Sequence, residues 1–456
     1  MTTGLVMGVI ALVAGLFNLP GAIPAYLVSA AAALFCGGLI WAATRQQNHR
    51  SNIADVSAFV FLAWVTTPFF ALPALSQLLP GLDAPGLLFE AFSAFTTTGA
   101  VLVSPEEAGA PVVLLRCALS FLGGYGTVLF AAGLLAAFDQ SGPRMRKSVL
   151  LTHDPDNVFS NLGLAARRVF YVYGAVAFAA FLLLAMVGTD PFHALCLALS
   201  GMSTGGFAPR SGAMGEYIPD AGVFIMAMLC VAGSLNIAYL RNLTSKMERK
   251  SDPDLTGLLV LILGTFALFL VAARFEASWF GTLAEAIFAA TTAGFHATDT
   301  AGYAPLTAIF AALAGGAAAS TAGGLKISRL VLLWNQTFAE LARLADPSSV
   351  ISLKFRGGDT GNAALVALWS TVLAFIATMA LAMLALAVLG APLAQAWTGA
   401  ATALSNSGPL YERMGDGFTW SQFGPASQIV LVIVMVLGRL EVLAGAAAVI
   451  ALVRRD

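Results

Sequence analysis

Four short polar segments interrupt an otherwise oily chain: Thr96 to Ala100 (TTTGA), Ser203 to Phe207 (STGGF), Thr291 to Phe295 (TTAGF) and Ser405 to Pro409 (SNSGP). Each follows an apolar stretch too short to cross a membrane and precedes one long enough to do so. Aligned, they place glycine at one shared position, Gly99, Gly206, Gly294 and Gly408. Ala84 to Phe95 makes only about 18 Å of helix, against a hydrocarbon core of about 30 Å. Pro191 to Gly201, Trp279 to Ala290 and Leu393 to Leu404 are equally short, so all four enter partway and turn back. Irregular backbone at that depth is tolerable only where it lines water or is buried in protein. Four such loops around one axis meet that condition. Their carbonyls can replace the hydration shell of a cation, and the negative ends of the short helices favour positive charge there. The expected filter comprises Thr97, Thr98, Gly99; Thr204, Gly205, Gly206; Thr292, Ala293, Gly294; and Asn406, Ser407, Gly408. Its glycines are expected at positive φ, which only glycine takes without steric cost.

The repeat organises the whole chain. After two leading helices, about 4–18 and 22–44 within residues 1–48, one unit recurs: spanning helix, short pore helix, glycine loop, spanning helix. The units run over 54–140, 165–247, 255–345 and 361–453, with spacings of 107, 88 and 114 residues between equivalent glycines. The predicted fold is an all-α membrane protein with four pseudo-repeats around one pore plus two N-terminal helices. Composition agrees: 59% of residues are hydrophobic and 10% charged, with mean hydropathy +0.84, where a soluble domain carries roughly 25% charged residues. The N-terminal MTTGLVMGVIALVAGLF lacks the basic region and cleavage site of a signal peptide and reads as a retained membrane helix, interrupted near Asn18 to Pro20.

Charge gives orientation. Arg45 and Arg50; Arg144, Arg146, Lys147, Arg167 and Arg168; Arg241, Lys246, Arg249 and Lys250; Arg343, Lys354 and Arg356; and Arg454 and Arg455 fall in alternate segments between helices. Those segments are expected in the cytoplasm, with both termini. The opposite segments carry Asp83, Glu106, Glu107, Asp190, Glu216, Asp220, Asp299, Glu412 and Asp416, and few bases beyond Arg210, Arg274 and Arg413. Glu106, Glu107, Glu412 and Asp416, near the filter loops, are placed to concentrate cations at an outer mouth. Cys36, Cys117, Cys196 and Cys230 lie singly in apolar stretches, which favours buried free thiols. His49, His153, His193 and His296 form no ligand motif, and nothing in the sequence points to an enzyme, an organic cofactor or nucleic acid.

Two places break local rules. The last helix of unit three should run from Pro305 to Leu344, yet contains Gly315, Gly316, Gly323 and Gly324, each costing about 1 kcal/mol of helix propensity. With Ser320, Thr321 and Lys326 the stretch reads as a flexible loop that sits beneath the filter as a gate, although small residues also allow close helix packing. Arg439, in an apolar span, costs about 3 kcal/mol there. It is expected in the inner cavity as a barrier to cations, or in a buried ion pair; Glu441, two residues on, is on another face. Asn236 is a weaker cavity candidate.

These residues resemble the Trk/Ktr/HKT superfamily of potassium transporters, and within it the bacterial TrkH-type subunits. The resemblance covers nearly the whole chain and rests on the four filter segments, the STAGGLKISR run from Ser320 to Arg329, and GRLE around Arg439. It implies K⁺ as transported ion, a multi-pass location in the cell (inner) membrane among lipids, a homodimer with one pore per protomer, and a cytosolic nucleotide-binding regulator of the TrkA type. It also implies an intramembrane gate at the glycine-rich break and a cavity-facing arginine at Arg439. Ser407 departs from the apolar residue such proteins often carry before the fourth glycine. The rival class is a secondary transporter of another cation or small solute, binding at the membrane midplane, which predicts two inverted repeats rather than four like units.

Overall fold

The computed structural model describes residues 2–19, 21–44, 61–138, 158–236, 253–346, 354–355, 358–359 and 362–440. The expected unit limits at 54–60, 139–140, 237–247, 361 and 441–453 lie outside them. So do Pro20, His49, His153, Glu441 and the basic residues Arg45, Arg50, Arg144, Arg146, Lys147, Arg241, Lys246, Arg249, Lys250, Arg356, Arg454 and Arg455.

Two helices lead, α1 (Thr2–Leu16) and α2 (Ala22–Thr44). Unit one is α3 (Phe61–Leu78, with a 3₁₀ turn at Thr67–Ala71), α4 (Ala84–Phe95) and α5 (Pro105–Phe138). Unit two is α6 (Val158–Met186), α7 (Pro191–Met202) and α8 (Asp220–Ser234). Unit three is α9 (Pro253–Ala272), α10 (Trp279–Ala290), α11 (Pro305–Ala314) and α12 (Ile327–Ala345). Unit four is α13 (Asn362–Val388), α14 (Leu393–Leu404) and α15 (Pro425–Leu440). Besides helix and loop, the described residues hold a two-residue antiparallel pairing of Lys354–Phe355 with Gly358–Asp359 and an isolated parallel bridge between Ser278 and Ala301.

The short helices α4, α7, α10 and α14 each have 12 residues, and their ends are written in the sequence. Asp83 caps α4 by accepting from Gly86 N at 2.9 Å, and Asp190 caps α7 by accepting from Phe192 N at 2.9 Å. Proline in the first turn of both supplies a preset φ where no N–H is needed. Six described helices are long and apolar enough to cross a membrane: α2, α3, α5, α6, α9 and α13. The leading helix α1, with 15 residues, is about 22 Å long and falls short of that length. On α9 and α13, Leu259, Leu263, Leu373, Ile376 and Leu381 face outward. An apolar belt of that kind needs hydrocarbon around it.

Packing closes the units into a ring. The second long helix of each unit lies against the short helix of the next: α5 on α7, α8 on α10, α11 on α14, and α15 back on α4. This is a cyclic array of four, not a pair of inverted halves. Three inner helices press a glycine onto the last carbonyl of their own unit's short helix. A Cβ on Gly123 would overlap Phe95 O, one on Gly233 would stand 2.5 Å from Met202 O, and one on Gly438 would overlap Leu404 O. The expected buried thiols are confirmed for Cys117, Cys196 and Cys230, whereas Cys36 on α2 is only half-buried; all four are free.

Candidate ion pathway

Each short helix ends in the same way. Thr97, Thr204, Thr292 and Asn406 adopt left-handed backbone, with φ of 57°, 50°, 61° and 51°. This reverses the chain and lets the next amides recover the helix's last carbonyls, as in Thr97 N to Ala94 O (3.2 Å) and Thr98 N to Ser93 O (2.9 Å). Gly205 N to Ser200 O and Ser407 N to Thr402 O repeat the longer of these links at 2.8 and 2.9 Å. It is a Schellman ending with threonine or asparagine where glycine is usual, at about 1–2 kcal/mol of backbone cost apiece. The preceding residue is a hydroxyl in all four loops. Thr96, Ser203, Thr291 and Ser405 bond back to the carbonyl four residues earlier at 2.7, 3.0, 2.7 and 2.8 Å.

The expected filter residues come together, and all twelve are buried. Gly99, Gly206 and Gly294 have positive φ (78°, 72° and 67°), as expected. Gly408 does not: its φ of −50° is helical, because Pro409 opens a single helical turn, Pro409–Glu412. Glycine is required there by space, since a Cβ would stand 2.5 Å from Ala100 N and 2.8 Å from Thr98 O. A Cβ on Gly99 would overlap Gly205 O, and one on Gly206 would overlap Ala293 O. The carbonyls just before Gly99, Gly206 and Gly294 thus lie against the neighbouring loop around the ring. The fourth loop breaks the symmetry. Gly408 N donates to Thr98 O at 2.6 Å, and Gly408 O accepts from Trp420 Nε1 at 3.2 Å.

Below the filter, residues 315–326 are non-helical, so the break expected between Pro305 and Leu344 is present. The segment is mostly buried and closely packed. Its glycines serve contact: a Cβ on Gly315 would overlap Gly323 O, one on Gly316 would stand 2.5 Å from Ala322 Cβ, one on Gly324 would stand 2.5 Å from Ala312 O, and one on Gly323 would overlap Ser405 O. Thr321 Oγ1 donates to Gly233 O at 2.8 Å and Met202 O at 3.1 Å, Ser320 Oγ donates to Ala317 O at 2.6 Å, and Lys326 Nζ donates to Ala322 O. Two filter side chains hold the loop directly. Thr204 Oγ1 donates to Thr321 O at 3.0 Å, and Thr292 Oγ1 accepts from Gly323 N at 2.8 Å. Arg439 is buried and donates through Nε to Thr127 Oγ1 on α5 at 2.8 Å; its two terminal nitrogens are buried without a hydrogen bond among the described residues. No described carboxylate pairs with it, and no hydrogen bond joins it to residues 315–326. Asn236 is half-buried at the end of the described part of unit two.

Above the filter lies an open cavity of about 620 Å³ bordered by Gly99, Gly206, Gly294 and Pro409, one residue from each loop. Three of the four expected mouth carboxylates, Glu107, Glu412 and Asp416, line it. Glu106 instead ties units one and two, accepting from Ser211 N and Oγ, both at 2.7 Å. Glu412 opens on the cavity, yet the protein around it at longer range pushes its carboxyl up to about 7; Arg116 draws it down and Glu90 raises it. Burial lowers His296 on the same wall, reinforced by Arg413. Two buried ion pairs were not read from the sequence, Arg116 with Glu90 at 2.8 Å and Arg413 with Glu285 at 2.5 Å.

A ring of four short helices and loops, walled by apolar helices and bordering a charged cavity, marks a multi-pass membrane protein. The family model of TrkH, a cation transport protein, matches residues 258–454. The match covers the second half of the chain, and the relatives below resemble it over most of its length. The Trk system potassium uptake protein TrkH of Vibrio parahaemolyticus is 27% identical over 430 residues, 90% of this chain and 88% of the relative. TrkH of Escherichia coli K12 is 28% identical over 427 residues, with the same coverage of both chains. The crystal structure of the potassium transporter TrkH from V. parahaemolyticus shares the fold, with TM-score 0.83 at 24% identity over 97% of this chain and 96% of that one.

Proposed function

We propose that this protein carries K⁺ across the cell membrane through one pore per chain, entering by the outer cavity and shedding water in the four-loop filter. The observation that carries the reading is the ring itself: loop carbonyls packed against neighbouring glycines at a spacing no side chain could share. Dehydrated cations need such a set of fixed oxygens. In this reading residues 315–324 close the path beneath the filter, and Arg439 adds a fixed positive charge below it. The chain acts as the membrane subunit of a multi-component Trk system, not as an enzyme. Two copies pair within the lipid, both termini face the cytosol, and a nucleotide-binding subunit of the TrkA type moves the closing loop from that side.

Purified protein in liposomes tests this by ion flux with K⁺, Rb⁺ and Na⁺ as alternative cations. The expected result is flux of K⁺ and Rb⁺ well above that of Na⁺. Equal flux of all three, or flux of an organic solute instead, refutes it.

A further inference from the structure

The two buried ion pairs share a register that points to a common task. Glu90 and Glu285 sit on short helices α4 and α10, each nine positions ahead of its loop's glycine, Gly99 or Gly294. Each accepts through Oε1 from the backbone N–H three positions beyond that glycine, Leu102 N for Glu90 and Ala297 N for Glu285, both at 2.7 Å. One carboxylate therefore ties the descending helix to the strand leaving the filter, with the loop held between them.

An arginine completes each tie. Arg116, on the inner helix of unit one, takes Glu90 in a fork, with Nε to Oε2 and Nη2 to Oε1 both at 2.8 Å, and donates again to Val103 O at 2.9 Å. Arg413, from the fourth loop, reaches across to Glu285 Oε2 and donates to Phe295 O at 3.2 Å, its guanidinium 3.7 Å above the Tyr303 ring. Both carboxylates are about 1% exposed, and a charge so buried stays ionised only with such partners. Units two and four have no counterpart. Their equivalent positions are Leu197 and Gly399, and Gly399 stands where a Cβ would be 2.9 Å from the Phe423 ring.

We propose that Glu90 with Arg116 and Glu285 with Arg413 are positioning clamps that hold filter loops one and three, opposite in the ring, at the spacing that selects K⁺ over Na⁺. The inference rests on the filter reading above. The Arg116–Glu90 fork fixes distance and direction together, and the single Arg413–Glu285 bond is steadied by Phe295 O and the Tyr303 ring; a filter discriminating ions by oxygen placement requires such fixing. Loops two and four are held through side chains on the inner side instead, Thr204 against Thr321 and Asn406 Nδ2 against Thr98 Oγ1 at 2.9 Å.

The test measures the K⁺/Na⁺ flux ratio of full-length protein in liposomes, using only monodisperse preparations, for Glu90→Gln, Glu285→Gln, Arg413→Ala and Arg413→Lys. Partners that orient an ion site typically matter by about 10- to 100-fold. The ratio should fall by about 10-fold or more in the first three variants and recover in part with Arg413→Lys. A purely structural role lowers yield or thermal midpoint and leaves the ratio of the surviving protein intact. Arg413 is partly exposed, so its variants decide the matter if Glu90→Gln does not fold. An unchanged ratio in the Arg413 variants, with Gly99→Ser losing selectivity, overturns the clamps and leaves the filter reading standing. A parent protein with no preference for K⁺ overturns both.

Discussion

Replacing each filter glycine in turn by serine separates backbone conformation from free space, because the four sites differ in which they need. Gly99 and Gly206 need both: positive φ, and a Cβ that would overlap a neighbouring loop's carbonyl. Gly294 needs mainly the φ, since its nearest atom would be Leu410 Cγ at 3.3 Å. Gly408 needs only the space. Left-handed backbone costs a side-chain residue about 1–2 kcal/mol, and overpacking about 1–3 kcal/mol. Gly99→Ser and Gly206→Ser therefore carry about 2–5 kcal/mol of strain. Gly294→Ser carries about 1–2 and Gly408→Ser about 1–3. Strain at Gly99 is relieved chiefly by moving Gly205 O, one of the carbonyls of the proposed filter. The difference between Gly99 and Gly294 is the overpacking contribution, about 1–3 kcal/mol, equivalent to about 5- to 150-fold in an equilibrium. Measured as K⁺/Na⁺ flux ratio in liposomes, selectivity should fall most for Gly99 and Gly206 and least for Gly294. If Gly294→Ser is the most damaging, or all four leave the ratio unchanged, local loop geometry does not set selectivity.

Three other outcomes follow from the same contacts. Gly123→Ala puts a Cβ onto Phe95 O and should lower the thermal midpoint in detergent by the equivalent of about 1–3 kcal/mol, while Gly174→Ala, with nothing within 4 Å, should leave it unchanged. The Glu412 carboxyl, titrating at about 7, is charged above that pH and neutral below it, so K⁺ flux at low K⁺ and low salt should decline as outer pH falls through this value; Glu412→Gln should remove the step. Thr321→Val deletes the bonds to Gly233 O and Met202 O, and Arg439→Ala removes the buried charge; both should raise K⁺ flux and weaken its dependence on a cytosolic regulator, and unchanged flux in protein that inserts normally would move the gate elsewhere.

The short helices were legible to within a residue because their limits are local: a capping Asp83 or Asp190, Ser278 accepting from Gly281 N, or Pro392 at one end, and a hydroxyl before the turn at the other. The loop glycines were legible as positions and, at Gly99, Gly206 and Gly294, as conformations. At Gly408 the helical φ follows from Pro409 and from Trp420 holding the carbonyl, a contact outside the local motif. The reversal itself is made by Thr97, Thr204, Thr292 and Asn406, residues that carry no sign of left-handed backbone except their constant place two positions before the glycine. The break in unit three was visible as four glycines, yet its close packing was not, because glycine marks both loose chain and close contact, and only the neighbours at Ser405, Ala312 and Gly323 show the contact. The pairing of Glu285 with Arg413 joins residues 128 apart, and no periodicity carries that distance.

Among the described residues, a buried non-helical stretch as long as the one between α11 and α12 is seen in unit three alone, which has a consequence for ancestry. A pore assembled from four identical chains would have to place four such loops on its axis. The floor of this filter admits one, since Gly323 already leaves no room for a methyl beside Ser405 O. Fusion of the units into a single gene is therefore a precondition for this kind of closure. Once the copies were joined, each could change by itself, and a substitution at any one loop position was felt once instead of four times.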